Sequence, residues 1–232
     1  MTMSADELQP HISTPEPRPA RRPKAPRPAL LVVLSSPSGG GKTTICRRLL
    51  RRDGKLMYSV SVTTRPSRRG EVDGVHYRFV TRAQFQRLIA ANRLAEYATV
   101  HGHLYGTPKK NIAEAIAQRR VILFDIDVVG GLALKQHYQE AVLIFLVPPS
   151  WEVLKARLMA RKTEPAADLR RRLARARREL PFWRSYDYVV NNDRLADSVD
   201  ACRAIIRAER LRSVRAPRFL QRHVVPVDRL EG

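Results

Sequence analysis

One stretch of the sequence, residues 30–50, limits the possible folds more than any other. It opens with an apolar run from Leu30 to Leu34, which is typical of a strand buried inside a parallel sheet. A turn with three consecutive glycines follows, and apolar residues then recur at helical spacing from Lys42 onward. This order of strand, glycine-rich turn and helix predicts an α/β domain built around a parallel sheet.

The same turn predicts a site for a polyphosphate and a metal ion. Glycines leave backbone N–H groups free to converge on phosphate oxygens, and the N-terminus of the next helix adds the positive end of its dipole. The Lys42 ammonium group would reach the β- and γ-phosphates, and the Thr43 hydroxyl would ligate Mg²⁺. The residues expected around the polyphosphate are Ser36, Pro37, Ser38, Gly39, Gly40, Gly41, Lys42 and Thr43.

One position departs from the usual pattern of such loops. The sequence G-x-x-x-x-G-K-[ST] has glycine where this chain has Ser36. Because serine adopts a positive φ angle only at an energetic cost, we predict that Ser36 enters the loop with an extended backbone.

The composition narrows the class of protein. A chain of 232 residues can form one globular domain with insertions. No apolar run approaches the roughly 18 residues of a membrane span, and no apolar stretch follows the first charged residues, so neither a span nor a secretory signal is expected. Two cysteines, Cys46 and Cys202, lack the spacing of a metal site and indicate a reducing compartment. We therefore predict a cytoplasmic protein without a membrane partner.

The formal net charge of +21 raises the question of a nucleic-acid partner. The basic residues do not form a stripe with interleaved aromatic residues. Instead, residues 155–187 contain eleven basic and four acidic residues. An excess of this kind suits a segment that closes over polyphosphates, and the remaining charges suit solvated helix faces. Nucleic acid is therefore not expected as the primary partner, and the sequence leaves a homo-oligomer open.

The texture of the sequence divides the chain into a domain and two tails. Residues 1–28 contain seven of the sixteen prolines and predict a disordered Pro/Arg-rich tail, and residues 211–232 predict a basic C-terminal tail. The predicted domain at 29–210 consists of a parallel-sheet core at 29–61 and 108–210 and an inserted mixed segment at 62–107.

Three signals predict where helices begin. Thr81 with Gln84 is typical of a capping box, and Ser150 is a typical N-cap after two prolines. Thr107 followed by Pro108 predicts an N-cap and the first residue of a helix.

A second stretch identifies a family. Residues 61–77 read SVTTRPSRRGEVDGVHY, and together with the phosphate loop they resemble the guanylate kinase family. The resemblance runs from about Leu30 to Arg207. It implies a P-loop nucleoside monophosphate kinase-like α/β fold, with a parallel sheet core flanked by helices, an inserted mixed α/β GMP-binding segment and an arginine-rich lid. It further implies that ATP with Mg²⁺ phosphorylates GMP, and also dGMP, to the diphosphate.

The resemblance implies two sets of GMP contacts. Guanidinium and phenol groups suit a phosphate dianion, and a carboxylate suits the adjacent N1–H and N2–H donors of guanine, which adenine lacks. The implied phosphate contacts are Arg65, Arg68, Tyr77 and Tyr105, and the implied base contacts are Ser61, Glu96 and Thr107.

Two aspartates follow a predicted buried strand, at the edge where open α/β sheets bind ligands. By resemblance, Asp127 contacts GMP and Asp125 lies in the outer shell of the metal ion. Val129 stands where the family usually has glutamine, so one polar contact is absent there or is supplied by another residue.

The resemblance places catalytic arginines on a lid at about 157–175. Transfer between two anions depends on positioning and neutralisation of charge, which arginines on a closing lid provide. The catalytic residues implied are Lys42, Arg65, Arg157, Arg161 and Arg172. Asn191 matches a position near adenine. The other arginines of this segment, Arg170, Arg171, Arg175, Arg177 and Arg178, are expected at the surface.

Two other interpretations share parts of this pattern. A related kinase acting on a ribose phosphate would have the same loop and lid, but it gives no reason for the acceptor residues named above. A non-catalytic guanylate-kinase-like interaction module would have the same fold, but it gives no reason for the lysine of the loop or the lid arginines.

Overall fold

The apolar run of the phosphate-loop stretch forms the middle strand of a five-stranded sheet. A computed structural model describes residues 29–100, 102–160 and 166–215. The strands are β1 (Leu30–Ser35), β2 (Leu56–Tyr58), β3 (Val62–Thr63), β4 (Arg78–Phe79), β5 (Leu94–Val100), β6 (His103–Pro108), β7 (Val121–Asp125), β8 (Val142–Val147) and β9 (Tyr188–Asn191). The helices are α1 (Lys42–Arg52), α2 (Arg82–Ala90), α3 (Lys109–Gln118), α4 (Val128–His137), α5 (Trp151–Met159), α6 (Ala166–Glu179) and α7 (Leu195–Glu209).

The main sheet is parallel throughout, in the order β2-β7-β1-β8-β9. Every residue of β1 is buried, and Val33 pairs with Phe124 on one side and with Leu143 on the other. Such a strand is apolar along its whole length because helices cover both faces of the sheet. Residues of α1 and α7 share one core with the sheet, and residues of α3 and α4 share the other. The predicted α/β fold with a parallel core is confirmed.

The second sheet has the order β4-β3-β6-β5 and lies within residues 62–108. Its β3–β6 and β5–β6 pairs are antiparallel, whereas β3 and β4 are parallel. Helix α2 packs Phe85 against Val62 and Leu94 to form a small separate core. The predicted capping box at Thr81 is confirmed, since the Thr81 hydroxyl and the Gln84 side chain each accept from the other's backbone N–H.

The predicted N-cap at Thr107 is wrong. Thr107 lies in β6, and α3 begins at Lys109 with Pro108 as the N-cap residue. The strand continues because Thr107 pairs with Glu96 across the sheet, and its hydroxyl donates to the Glu96 carboxylate instead of to a helix N-terminus. The predicted N-cap at Ser150 is confirmed, because its hydroxyl accepts from the Val153 N–H.

The arginine-rich helix α6 docks on α5 through Leu154, Leu158 and Ala176. It ends at Glu179, and a 3₁₀ helix with proline in its first turn continues over Leu180–Ser185. A last 3₁₀ turn, Ser213–Arg215, buries Arg215 against Glu209. The predicted tail at 1–28 and residues 216–232 of the predicted tail at 211–232 lie outside the described residues.

No described helix combines the length and the apolar composition required to cross a membrane.

Candidate active site

The glycine-rich turn wraps around a cavity of about 220 Å³ at the carboxyl end of β1. Gly39 and Gly41 have φ angles of 88° and 85°, which only glycine adopts without strain. Ser36 is not among the described residues with positive φ, as the sequence predicted. Its side chain packs on Gly40 so closely that a Cβ at Gly40 would lie 2.6 Å from the Ser36 Cβ. Ser36 therefore fits the loop, and its partner glycine is required.

Lys42 joins the loop to the carboxyl end of β7. Its Nζ donates to the Ile126 carbonyl at 2.9 Å and lies 3.5 Å from Oδ1 of Asp125. The cavity is lined by the predicted loop residues from Ser36 to Thr43, and Asp127 lines it from the opposite side. The strand order explains this meeting, because β1 and β7 are adjacent and parallel.

Asp125 is a buried carboxylate that the Lys42 ammonium group approaches without forming a hydrogen bond. It is 7% exposed, and neither of its oxygens accepts a hydrogen bond from any residue that the structure describes. A buried carboxylate without hydrogen bonds is costly unless a cation or ordered water meets it. Thr43, in the first turn of α1, presents an exposed hydroxyl oxygen to the same cavity. Hard oxygen donors of this kind fit Mg²⁺.

The asparagine held against the loop is Asn192. It is 5% exposed, and its Nδ2 donates to the Gly40 carbonyl at 2.7 Å. The backbone carbonyl of Asn192 accepts from Nη2 of Arg157 at 3.0 Å. Asn191, the residue predicted near adenine, ends β9 with an exposed side chain. The sequence analysis missed Asn192, although two consecutive asparagines at the end of a strand were a visible signal.

The lid arginines differ in their surroundings. Arg157 is half-buried, and its Nη1 is buried without a hydrogen-bond partner among the described residues. Arg172 is half-buried on α6, and Arg161 lies outside the described residues. The prediction of a surface position for Arg175 is wrong. Its Nη2 lies 2.7 Å from Oδ2 of Asp127, and its Nε donates to Glu179.

Glu179 ties the end of α6 to the phosphate loop. Its Oε2 accepts from the Ser38 N–H at 2.9 Å, while its Oε1 accepts from Arg175. Arg175 and Glu179 therefore connect the loop to Asp127. Sequence reasoning missed both residues, because a basic residue one helical turn before a glutamate is equally typical of a solvated helix face.

Three of the predicted acceptor-phosphate residues cluster at the second sheet, with Tyr105 on β6 and with Arg65 and Tyr77 in the segment between β3 and β4. The Arg65 guanidinium lies 5.4 Å from the ring centre of Tyr77, and its Nε donates to the Tyr105 hydroxyl at 3.2 Å. The Tyr77 and Tyr105 rings meet edge to face at 6.0 Å. Arg68 has an exposed side chain and stands at the rim. One cation and two phenols thus face a common space.

Two of the predicted base-reading residues, Glu96 and Thr107, are brought together on this sheet. Oε1 of Glu96 accepts from the Thr107 hydroxyl at 2.6 Å, and Glu96 is 7% exposed. Burial raises the pKa of Glu96 to about 7, with a smaller opposing effect from the Thr107 hydrogen bond and a further increase from Asp127. Ser61 is also buried on the neighbouring segment.

Two local features aim Glu96 into the site. A bulge between Leu94 and Glu96 breaks the alternation of β5, so that Ala95 and Glu96 are both buried. Helix α4 then approaches so closely that a Cβ on Gly130 would lie 2.8 Å from Oε2 of Glu96. The glycine is required for this contact. Val129 beside it is exposed, in place of the usual polar residue.

Comparison with known proteins agrees with this geometry. The family model for guanylate kinase matches residues 29–209. A guanylate kinase of Symbiobacterium thermophilum is 47% identical over 193 residues, which are 83% of this chain and 91% of the relative. One of Mesorhizobium japonicum is 48% identical over 192 residues, which are 82% of this chain and 88% of the relative.

A solved structure is also similar. The crystal structure of guanylate kinase from Anaplasma phagocytophilum superposes with a TM-score of 0.70 at 34% identity, over 82% of this chain and 91% of that chain. Because the family model spans the whole described domain and the relatives are nearly half identical, the chain belongs to the guanylate kinase family.

Proposed function

We propose that the protein transfers the γ-phosphoryl group of ATP to GMP or dGMP, giving ADP and the diphosphate. The observation that supports this best is the buried Glu96–Thr107 pair, which lies on the sheet that also carries Tyr105, the hydrogen-bond partner of Arg65. A buried carboxylate beside a phosphate-binding cluster suits a nucleotide whose base offers two donors. The family relationship supports the same reaction.

Guanine would be recognised through its N1–H and N2–H donors. Both can be accepted by the Glu96 carboxylate, while its existing bond from Thr107 fixes the plane of the carboxylate. Adenine presents an acceptor at N1 and would leave the buried carboxylate facing a lone pair. A mismatch of this type can lower kcat/KM for the wrong nucleotide by up to about 10⁴ to 10⁵ relative to the right one.

Catalysis requires alignment and neutralisation more than proton transfer. An ionised oxygen of the GMP phosphate attacks the γ-phosphorus, and the bond to the β–γ bridging oxygen breaks, so the electron pair leaves with ADP. Lys42 would hold the donor phosphates, Arg65 the acceptor phosphate, and the lid residues Arg157, Arg161 and Arg172 would gather around the group in transfer.

Mg²⁺ fits the residues at the place where the phosphate loop meets the carboxyl end of β7. Thr43 and Asp125 would hold it, Asp125 through a water molecule, and Lys42 would balance the carboxylate charge. When bound, the ion would neutralise negative charge on the nucleotide phosphates. No group of three or more His, Cys, Asp or Glu side chains that could hold a metal occurs within the described ranges, which suits an ion carried by the nucleotide.

The decisive experiment is an ADP-release assay with ATP and one acceptor at a time. The acceptors are GMP, dGMP, AMP, UMP and a ribose bisphosphate. We expect turnover with the two guanine nucleotides alone. Turnover with the ribose bisphosphate would identify the related sugar-phosphate kinase, and no turnover with GMP would identify a non-catalytic interaction module.

We further propose that ATP and GMP are the primary partners and that the enzyme works in the cytoplasm. Both cysteines are free and buried, which suits a reducing compartment. If the protein binds DNA and moderate salt abolishes this binding, nucleic-acid binding by the basic tails is only a secondary activity. Light scattering during gel filtration would determine whether the protein is a homo-oligomer.

A further inference from the structure

Glu71 is a half-buried acid in direct contact with the acceptor-phosphate residues, and nothing in the reaction uses it. Its carboxylate forms a two-pronged ion pair with Arg65, in which Nη1 donates to Oε2 at 2.9 Å and Nη2 donates to Oε1 at 2.8 Å. The backbone N–H of Arg68 donates to the same Oε2 at 2.7 Å. Both side chains of the ion pair are mostly shielded from solvent, at 10% and 18% exposure for Arg65 and Glu71.

The remaining donors of Arg65 show which edge of the guanidinium is left for a substrate. The second N–H of Nη1 donates to the Pro66 carbonyl at 2.6 Å, and Nε–H donates to the Tyr105 hydroxyl at 3.2 Å. The planar guanidinium has one more N–H, on Nη2, which points along the same edge as Nε–H. Glu71 therefore occupies the Nη1–Nη2 end of the guanidinium and Tyr105 accepts from Nε–H, so that the second N–H of Nη2 is left for a substrate.

The Tyr105 hydroxyl lies at the Nε–Nη2 edge, on the same side as this remaining N–H. It accepts from Arg65, and its own hydrogen donates to no residue in the described part of the chain. A phosphate oxygen placed at the edge would accept from Nη2 of Arg65 and from the Tyr105 hydroxyl together. Tyr77, which lies against both groups, closes the other side.

We propose that Glu71 is a positioning residue for GMP: it fixes the Arg65 guanidinium so that the remaining N–H of Nη2 and the Tyr105 hydroxyl receive the acceptor phosphate. This proposal rests on the proposed function. A free arginine side chain would lose rotational freedom on binding the phosphate, and the ion pair removes that cost beforehand. Charge-assisted bonds from Arg65 and the Arg68 N–H hold the pKa of Glu71 below its usual value, against the effect of burial, so it remains ionised at neutral pH.

In the alternative role, Glu71 competes with the acceptor phosphate for Arg65, and the phosphate must displace it. The two roles have opposite consequences for GMP affinity when the charge is removed. A competitor's removal lowers the KM for GMP, whereas removal of a positioning residue raises it. The remaining Nη2 N–H and the adjacent Tyr105 hydroxyl favour the positioning role, because a phosphate can bind to them without breaking the Glu71 pair.

The test is Glu71→Gln in the intact enzyme, with steady-state kinetics for both substrates. We expect the KM for GMP to rise about tenfold, with kcat changed less than about threefold and the KM for ATP unchanged. Glu71→Asp should lie between wild type and Glu71→Gln, since the charge remains but its reach is shorter. A lower or unchanged KM for GMP in Glu71→Gln would overturn the proposal.

Two controls separate positioning from other causes. Asp73→Asn removes one negative charge from the same segment and can keep the acceptor for the Phe79 N–H, so its KM for GMP should equal that of wild type. Combined with Arg65→Ala, Glu71→Gln should add no further increase, because its effect acts through Arg65. An additive increase would contradict the proposal. Absence of GMP turnover by the wild-type enzyme would instead defeat the proposed function.

Discussion

The Thr107 hydroxyl donates a 2.6 Å hydrogen bond to the buried carboxylate of Glu96, across the β5–β6 pair. This bond occupies one carboxylate oxygen and fixes the direction of the other. Burial outweighs the bond and leaves the pKa of Glu96 at about 7. The carboxylate is therefore close to its titration midpoint at neutral pH, and two predictions follow from its charge.

Guanine binding should weaken as the pH falls below 7. Two guanine donors require the ionised carboxylate, and a raised pKa means that acid protonates Glu96 in the free enzyme early. We expect the Kd for guanosine to rise between pH 8 and pH 5, approaching about tenfold per pH unit at the acid end. Guanosine is the right ligand for calorimetry because it has no phosphate to titrate. A Kd that does not change over this range would show that Glu96 does not bind the base.

Glu96→Gln should erode the preference for GMP over AMP. The amide can accept from guanine but can also donate to N1 of adenine, so the mismatch that excludes AMP is removed. We expect the ratio of kcat/KM for GMP and AMP to fall by about 100-fold or more. Glu114→Gln, on the exposed side of α3, makes the same change away from the site and should keep the wild-type ratio. An unchanged preference in Glu96→Gln would remove its base-reading role.

A methyl group on Gly130 should damage the GMP site selectively. The new Cβ would lie 2.8 Å from Oε2 of Glu96 and 3.3 Å from Oδ1 of Asp127. Gly130→Ala should therefore raise the KM for GMP at least tenfold and leave the KM for ATP near wild type. Gly54→Ala is the matched control, because nothing lies within 4 Å of a Cβ there. Equal kinetics for the two variants would contradict the packing of α4 on Glu96.

Much of the main sheet could be predicted from the sequence, because its strands are buried on both faces and carry uninterrupted apolar runs. Helix α4 was missed for the converse reason. Its Gly130 and Gly131 lower helix propensity, and its buried residues do not form one stripe. Both glycines allow a neighbouring side chain to approach the helix backbone closely. A Cβ on Gly131, for example, would lie 2.8 Å from the Tyr186 hydroxyl.

The residues of the site likewise divide into those that a local sequence pattern predicts and those that only the packing of the fold positions. The loop and its lysine could be predicted because the chemistry lies within one short segment. Asn191 near adenine stays a prediction, whereas its neighbour Asn192 is the buried residue that holds the loop. Neighbouring strand residues face opposite sides, and two consecutive asparagines do not show which of them faces inward. The position of Arg175 depends on how α6 docks against the loop, and no local pattern contains that information.

Asn192→Ala should loosen the phosphate loop. The Gly40 carbonyl would lose its donor in a buried setting, which costs about 1 to 3 kcal/mol. We expect a KM for ATP raised several-fold and a lower Tm, which bound ATP should partly restore. Asp193→Ala, at the exposed neighbouring position, should change neither. A normal Tm for Asn192→Ala would show that the loop keeps its shape without this bond.

Arg175→Gln should impair both substrates, because Arg175 is the shared partner of Asp127 and of Glu179, which holds the Ser38 N–H. Its loss also leaves two carboxylates uncompensated beside the phosphate cavity, and they would repel the anionic substrates. We expect the KM for ATP and the KM for GMP each to rise several-fold and kcat to fall about tenfold. Arg178→Gln removes the same charge from an exposed position on α6 and should leave all three constants unchanged. An equal loss in both variants would mean that the total charge of α6 matters and that the bridge to Asp127 does not.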